Sequence, residues 1–327
     1  MLFRYFIFVV LILLVGGTIA FMVGPREPRD TEITFKPEIM GDDLELYLSD
    51  NEAKLQDIRT DTAKEIIWFN GEKNSKTPLS IIYIHGFSAS KHEIRPVPDR
   101  VANEMGANLF YTRLTGHGRS GEAMAEATLN DWINDLAEAV EIGRRIGEKT
   151  IIMSTSTGGS LAAWLAMQDH PLKEDIAAMV FVSPNFGVKA AGGFLLDMPY
   201  ARHYVPLIIG KTRSSSKAPS KEEQMGWTIS YPSVALLPMA TAISVLQEQD
   251  PAKASVPALF IYSEKDETID AALTNVAYDK WGAQKQRLLI ESSGDDNNHV
   301  IAGDIISPQN NDLVVSTTVQ WLSDQLL

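Results

Sequence analysis

The chain has no cysteine, which excludes disulfides, thiolate catalysis and cysteine-built metal sites. Exported proteins need not carry disulfides, so this absence names no compartment. Positive charge is in short supply: 29 Lys and Arg against 42 Asp and Glu leave a formal net charge of −13. Binding phosphate needs a basic face, so nucleic acid is not an expected partner. The 6 histidines show no metal-ligand spacing such as H-E-x-x-H, and no metal is expected. Glycine-rich stretches lack the phosphate-loop patterns, so nucleotide binding has no support and no cofactor is expected. Internal repeats and long low-complexity tracts are also absent from the sequence.

With 327 residues, 45% of them hydrophobic, the chain can bury a core as one large domain or one domain plus an insertion. After Arg4, the run Tyr5 to Val23 carries no charge, and Gly24-Pro25-Arg26-Glu27-Pro28 ends it. Roughly 20 apolar residues suffice to span a bilayer as a helix. A cleaved signal peptide is the competing reading, with Thr18-Ile19-Ala20 as a small-residue cleavage site. Phe21, Met22 and Val23 continue the apolar run past that site, which favours a retained anchor. Arg4 before the run and Arg26 and Arg29 after it nearly balance under the positive-inside rule. A short tail before a long domain is the usual signal-anchor layout, which sets the domain outside the cytoplasm; secretion after cleavage is the alternative. The expected organisation is an anchor or uncleaved signal over 1–24, a polar linker over 25–60, and a domain over 61–327.

Within that domain, short apolar runs alternate with helical patterns. Glu65 to Phe69, Ile81 to Ile84, Asn108 to Tyr111, Thr150 to Met153 and Met179 to Val182 read as strands. Between the third and fourth, Leu129 to Ile146 repeats Trp132, Leu136, Val140 and Gly143 at helical spacing. Such alternation predicts an α/β class with a mostly parallel, doubly wound sheet. From about 185 to 252 the pattern becomes irregular, with scattered Gly and Pro and a Ser/Lys-rich piece, Ser214 to Lys217. Strands resume at Pro257 to Tyr262 and Arg287 to Ile290, and Leu313 to Leu327 reads as a closing helix. The irregular stretch is read as a cap inserted over the carboxyl ends of the sheet, with an ordinary helical excursion as the alternative.

The chemistry centres on Ile151-Ile152-Met153-Ser154-Thr155-Ser156-Thr157-Gly158-Gly159. An apolar run breaks into hydroxyl residues and glycines and then turns helical, which reads as a nucleophile elbow with Ser156 at its apex. A serine hydroxyl needs a base to take its proton, commonly a histidine oriented by a buried carboxylate. Asp266 follows just beyond one expected strand and His299 just beyond the next, in the chain order serine, acid, histidine. All three thus stand at carboxyl ends of strands, where open α/β sheets bind ligands. His85-Gly86-Phe87 follows Ile81 to Ile84, so the backbone amides of Phe87 and Thr157 are the expected oxyanion donors.

These motifs, together with Arg113-Leu114-Thr115-Gly116-His117-Gly118-Arg119-Ser120 and the pair Trp132 and Asp135, resemble the α/β-hydrolases of the monoglyceride-lipase and bacterial carboxylesterase branch, which shades into prolyl-aminopeptidase-like enzymes. The resemblance runs from about residue 65 to the end and is weakest across the cap. It implies an α/β-hydrolase fold and a serine hydrolase cleaving carboxylic esters, medium-chain or monoacyl, through an acyl-enzyme. One departure stands out: Ser154 occupies the position where the elbow usually has glycine, and the β-branched Thr155 and Thr157 crowd the apex.

Alternatives stay open at this stage. Ser154 is the next candidate nucleophile, and Asp270, Asp295 and Asp296 are alternatives to Asp266. His85 and His117 read as loop-shaping residues, and His92, His170 and His203 as surface or cap residues. Phe186, Phe194, Leu195, Leu196, Met198, Tyr200, Tyr204, Met225 and Trp227 would either line an acyl pocket or form the cap's own core. A peptidase would need acidic groups in the cap, where Glu222 and Glu223 are available. A non-catalytic binding protein on the same fold is the reading from another class.

Overall fold

The computed structural model describes residues 2–214 and 218–326, with the side chains at 2, 9, 12 and 13 outside that description. Ser215, Ser216 and Lys217 of the Ser/Lys-rich piece lie outside it as well. Helix α1 (Leu2–Met22) opens the chain, and Phe3, Tyr5, Phe6, Phe8, Leu11 and Leu14 are exposed on it. Part of the expected apolar span falls on side chains outside the description. Among the described residues no helix is long and apolar enough to cross a membrane, so a transmembrane segment is not supported.

The stretch 25–60 holds helix α2 (Leu44–Glu52), whose Leu44 and Leu48 join Met40 in the main core. Asp43 caps it by accepting from the Leu46 amide at 3.0 Å. Strands β1 (Glu65–Ile67) and β2 (Thr77–Ile84) follow, then α3 (Val97–Met105), which ends on Gly106 in the left-handed conformation at φ +62°. After β3 (Asn108–Tyr111), helix α4 (Leu129–Ile146) starts on a reciprocal cap between Thr128 and Asp131 and carries Arg144 and Arg145 in its last turn. Strand β4 (Gly147–Thr155) runs into α5 (Thr157–Ala166), and β5 (Ile176–Val182) leads to the inserted region.

That region contains α6 (Ala201–Ile208), an antiparallel hairpin of β6 (Thr212–Ser214) and β7 (Ser230–Pro232), α7 (Lys221–Gly226) between them, and α8 (Leu236–Gln247). Helix α8 is not peripheral: its Met239, Ala242, Ile243, Val245 and Leu246 sit in the main core. Strand β8 (Ala258–Tyr262), α9 (Ala271–Lys280), β9 (Lys285–Leu289) and α10 (Asn311–Leu326) complete the chain.

Seven strands form one sheet in the order β1-β3-β2-β4-β5-β8-β9. Strand β1 pairs antiparallel and the others parallel. Its central strands are apolar on both faces because helices cover both. Alternation divides them: Ile82, Ile84 and Ile152 face the layer with α4, α5 and α8, whereas Ile81, Tyr83, Ile151 and Met153 face α3 and α10. This sheet carries the α/β-hydrolase architecture expected from the sequence, and its strand ends bear the candidate site.

Candidate active site

Ser156 occupies the junction of β4 and α5 with φ 50° and ψ −115°, a conformation that costs energy for a non-glycine residue. Three backbone bonds hold it there. Its N–H donates to Val182 O at 3.0 Å, and its own carbonyl accepts from Ser160 N at 3.2 Å and Asn185 N at 3.0 Å. The close packing falls after the apex. A Cβ on Gly158 would lie 2.2 Å from Ile84 O, and one on Gly159 2.9 Å from Pro184 Cβ. Ser154 escapes this crowding: it is fully buried in β4, with its Oγ 3.5 Å from Val180 O.

His299 brings the three residues together. Its Nε2 lies 3.0 Å from Ser156 Oγ, and its Nδ1 2.7 Å from Asp266 Oδ2. Since Asp266 accepts, Nδ1 carries the proton and Nε2 faces the serine as an acceptor. Asp266 is buried, and its other oxygen takes the Thr268 and Ile269 amides at 2.8 and 2.9 Å. Asp295 fixes the histidine loop by accepting from the His299 and Val300 amides, both at 3.0 Å. Asp270 caps α9 instead, accepting from Ala272 N at 3.0 Å. Ser183 Oγ donates to His299 O at 2.7 Å, a contact the sequence reading missed.

The amides of Phe87 and Thr157 have no intramolecular acceptor among the described residues. Thr157 starts α5, so its N–H is one of the helix's unpaired donors. His85 shapes the adjoining loop: Leu114 N donates to its Nε2 at 3.0 Å, so Nδ1–H donates to Gly86 O at 2.9 Å. Burial lowers its pKa to about 4, which keeps the ring neutral. His117 is likewise driven well below the usual imidazole range by burial. It packs among His85, Phe87 and Trp132, with centroids 4.9, 5.8 and 5.6 Å away.

Trp132 and Asp135 act as one clamp on the loop between β3 and α4. Trp132 Nε1 donates to Thr115 O at 3.0 Å, and Asp135 accepts from Thr115 N at 2.6 Å. Burial raises the Asp135 pKa to about 6. Arg113 braces the same loop through a two-pronged pair with Glu52, at 3.0 and 2.7 Å, and donates to His117 O at 3.1 Å.

His92, His170 and His203 stand apart from this cluster. His92 contacts Asp61, His170 caps a 3-10 turn, and His203 contacts the Tyr200 ring. The aromatic and aliphatic group of the inserted region divides. Phe186 packs in the main core and Leu196 and Tyr204 in a small cap core. Phe194, Leu196 and Met198 border a cavity of about 480 Å³ that Ser156 and His299 do not line. Glu223 caps α7, and Glu222 is exposed beside it. The cap reaches the site through Tyr231, whose ring stands edge-on to Phe87 at 5.3 Å.

No curated protein sequence matches the chain. Among solved structures it is similar to a metagenome-derived lipolytic enzyme of the LipS and LipT pair, with TM-score 0.64 and 19% identity over 82% of this chain and 99% of that one. A soluble variant of monoglyceride lipase from Saccharomyces cerevisiae, in complex with a substrate analogue, gives TM-score 0.60 and 12% identity over 80% and 91%. Est1E from Butyrivibrio proteoclasticus with ferulic acid gives 0.53 and 16% over 83% and 99%. At such identities the likeness establishes the fold alone. The sequence goes further: residues 76–293 match the hydrolase family described as serine aminopeptidase, S33, and the chain belongs to that family of the α/β-hydrolase superfamily.

Proposed function

We propose that the protein is a serine hydrolase cleaving carboxylic esters by way of an acyl-enzyme. The observation that carries the reading is His299, hydrogen-bonded at once to Ser156 Oγ at 3.0 Å and to Asp266 at 2.7 Å. Ser156 Oγ attacks the ester carbonyl while His299 Nε2 takes its proton. Asp266 holds the imidazole in the tautomer that accepts there and stabilises the imidazolium. The carbonyl oxygen, now anionic, receives the Phe87 and Thr157 amides, each donor worth about 3 kcal/mol of barrier. His299 returns the proton to the departing alkoxide. Water, activated by the same histidine, then releases the acid. Esters are the reading over aminoacyl peptides because Glu223 is engaged in the reciprocal cap of α7 with Ser220 and Glu222 is exposed in the same turn, so neither stands as a buried anchor for a substrate ammonium. Faster hydrolysis of p-nitrophenyl esters than of aminoacyl-naphthylamides, lost in Ser156→Ala, supports this reading; the reverse preference overturns it.

We further propose that helix α1 attaches the enzyme to a membrane, with the hydrolase domain outside the cytoplasm. Its apolar side chains are exposed along the helix, and water penalises so large an apolar patch. Co-sedimentation of the full chain with lipid vesicles, lost when residues 1–24 are removed, is the expected result, and equal sedimentation of the two contradicts it.

A further inference from the structure

A second buried carboxyl stands beside the triad. Glu93, between β2 and α3, is 3% exposed. A single oxygen, Oε1, accepts two hydrogen bonds, from Tyr83 Oη at 2.7 Å and from the Gly86 amide at 2.6 Å. The Tyr83 hydroxyl also meets Thr155 Oγ1 at 2.8 Å. With the tyrosine proton used on Glu93, Thr155 is the donor in that contact. Thr155 directly precedes Ser156, and Gly86 directly precedes Phe87. The other oxygen, Oε2, and Ser156 both border Gly86. A Cβ placed on Gly86 would lie 3.1 Å from both Glu93 Oε2 and Ser156 Cβ.

We propose that Glu93 is a positioning residue for acyl transfer, its Oε1 joining the oxyanion loop, through Gly86, to the nucleophile elbow, through Tyr83 and Thr155. This rests on the reading of Ser156 as nucleophile. An oxyanion donor works only about 2.7–3.1 Å from where the anion develops, and a shift of about 1 Å costs on the order of 100-fold in rate. Two separate segments must therefore keep one spacing, and Glu93 meets the first directly at Gly86 and the second through the Tyr83 hydroxyl. The charged and titratable groups acting on it are Tyr83 and His299. Burial raises its pKa to about 7, against the lowering effect of the Tyr83 and Gly86 hydrogen bonds and of His299. A carboxyl oxygen accepts both bonds in either protonation state, so a glutamine should serve in its place.

The test is steady-state ester hydrolysis by the full chain and by Glu93→Ala, Glu93→Gln and Tyr83→Phe. Rates are expressed per site titrated with a fluorophosphonate, which removes any misfolded fraction. Glu93→Ala is expected to lose roughly 30- to 100-fold in kcat with KM within about twofold. Glu93→Gln should recover to within about threefold of wild type, and Tyr83→Phe, which cuts only the elbow arm, should fall between. Adding Tyr83→Phe to Glu93→Ala should cost little more, because one linkage is already broken. An unchanged kcat per site in Glu93→Ala, or a glutamine variant as slow as the alanine, overturns the proposal. If Glu93→Ala does not fold, the ordering of Tyr83→Phe below Glu93→Gln carries the same decision. A wild-type protein that takes no label at Ser156 defeats the reading of the function itself, a result distinct from any of these.

Discussion

Asp266 and Asp197 show how differently the sheet ends and the cap are held. Asp266, at the end of β8, is sealed from water and takes three short hydrogen bonds, from Thr268, Ile269 and His299. Asp197, on the cap, meets Arg29 and Thr241 at 3.4 Å each. Around Asp266 the chain fixes Ser156 by backbone bonds to Val182, Ser160 and Asn185, and His299 by its amide on Asp295 and its carbonyl on Ser183. Around Asp197 it relies on long side chains that bridge the inserted region and the N-terminal segment: Arg26 to Asp197 O, Arg29 to Glu248, and Arg202 to Glu27. Phe194, Leu207 and Ile208 stay exposed nearby. The site is preorganised where chemistry needs it, whereas the cap edge around Asp197 rests on the partly exposed pairs of Arg29, which open at little cost.

The largest effect expected from that contrast is at the strand ends. Ser156→Ala should lower kcat for a p-nitrophenyl ester by roughly 10⁶-fold, and Asp266→Asn by roughly 10⁴-fold through the wrong histidine tautomer. Thermal unfolding should show Ser156→Ala as stable as wild type, which separates lost chemistry from lost fold. Gly158→Ala probes the elbow's packing: its Cβ would lie 2.2 Å from Ile84 O, so a fall in Tm and loss of activity together are expected. Ser154→Gly is the matched control. It gives up only the weak contact to Val180 O and adds a glycine to a strand, costing about 0.5–1 kcal/mol in denaturant titration.

Glu93 supplies a pH test of the buried side of the comparison. Its folded pKa of about 7 lies above its ordinary value of 4.5, so the native state binds more protons than the unfolded one between those values. Stability therefore falls as pH rises through that window. Wild type should lose stability relative to Glu93→Gln from pH 5 to pH 8, measured by urea unfolding, and a constant difference would contradict the assignment. The smallest effect belongs to the cap. Arg29→Ala removes the contacts to Asp197 and Glu248 and should cost no more than about 1 kcal/mol, while making proteolysis within the cap faster.

Part of this architecture is legible in the sequence. The elbow, the order Ser156, Asp266 and His299, and helix Leu129–Ile146 all follow from local patterns, because strand ends and caps are written in consecutive residues. Glu93 was not legible. Its neighbours His92 and Ile94 give no sign of it, and its meaning arises only when β2 and β4 pair and bring Tyr83 beside Thr155. Helix α8 falls inside the irregular stretch of sequence, yet its apolar face packs in the main core. The 25–60 stretch read as polar because Met40, Leu44 and Leu48, its buried contacts, are spaced among acidic residues. Ser154 can replace the usual glycine because the tight approach is at Gly158.

The most direct measurement is covalent labelling by a fluorophosphonate followed by peptide mass spectrometry, on wild type, Ser156→Ala and His299→Ala. The account predicts a single adduct on Ser156 in wild type, none in Ser156→Ala, and slowed labelling without His299. An adduct on Ser154, or equal labelling of wild type and Ser156→Ala, would contradict it.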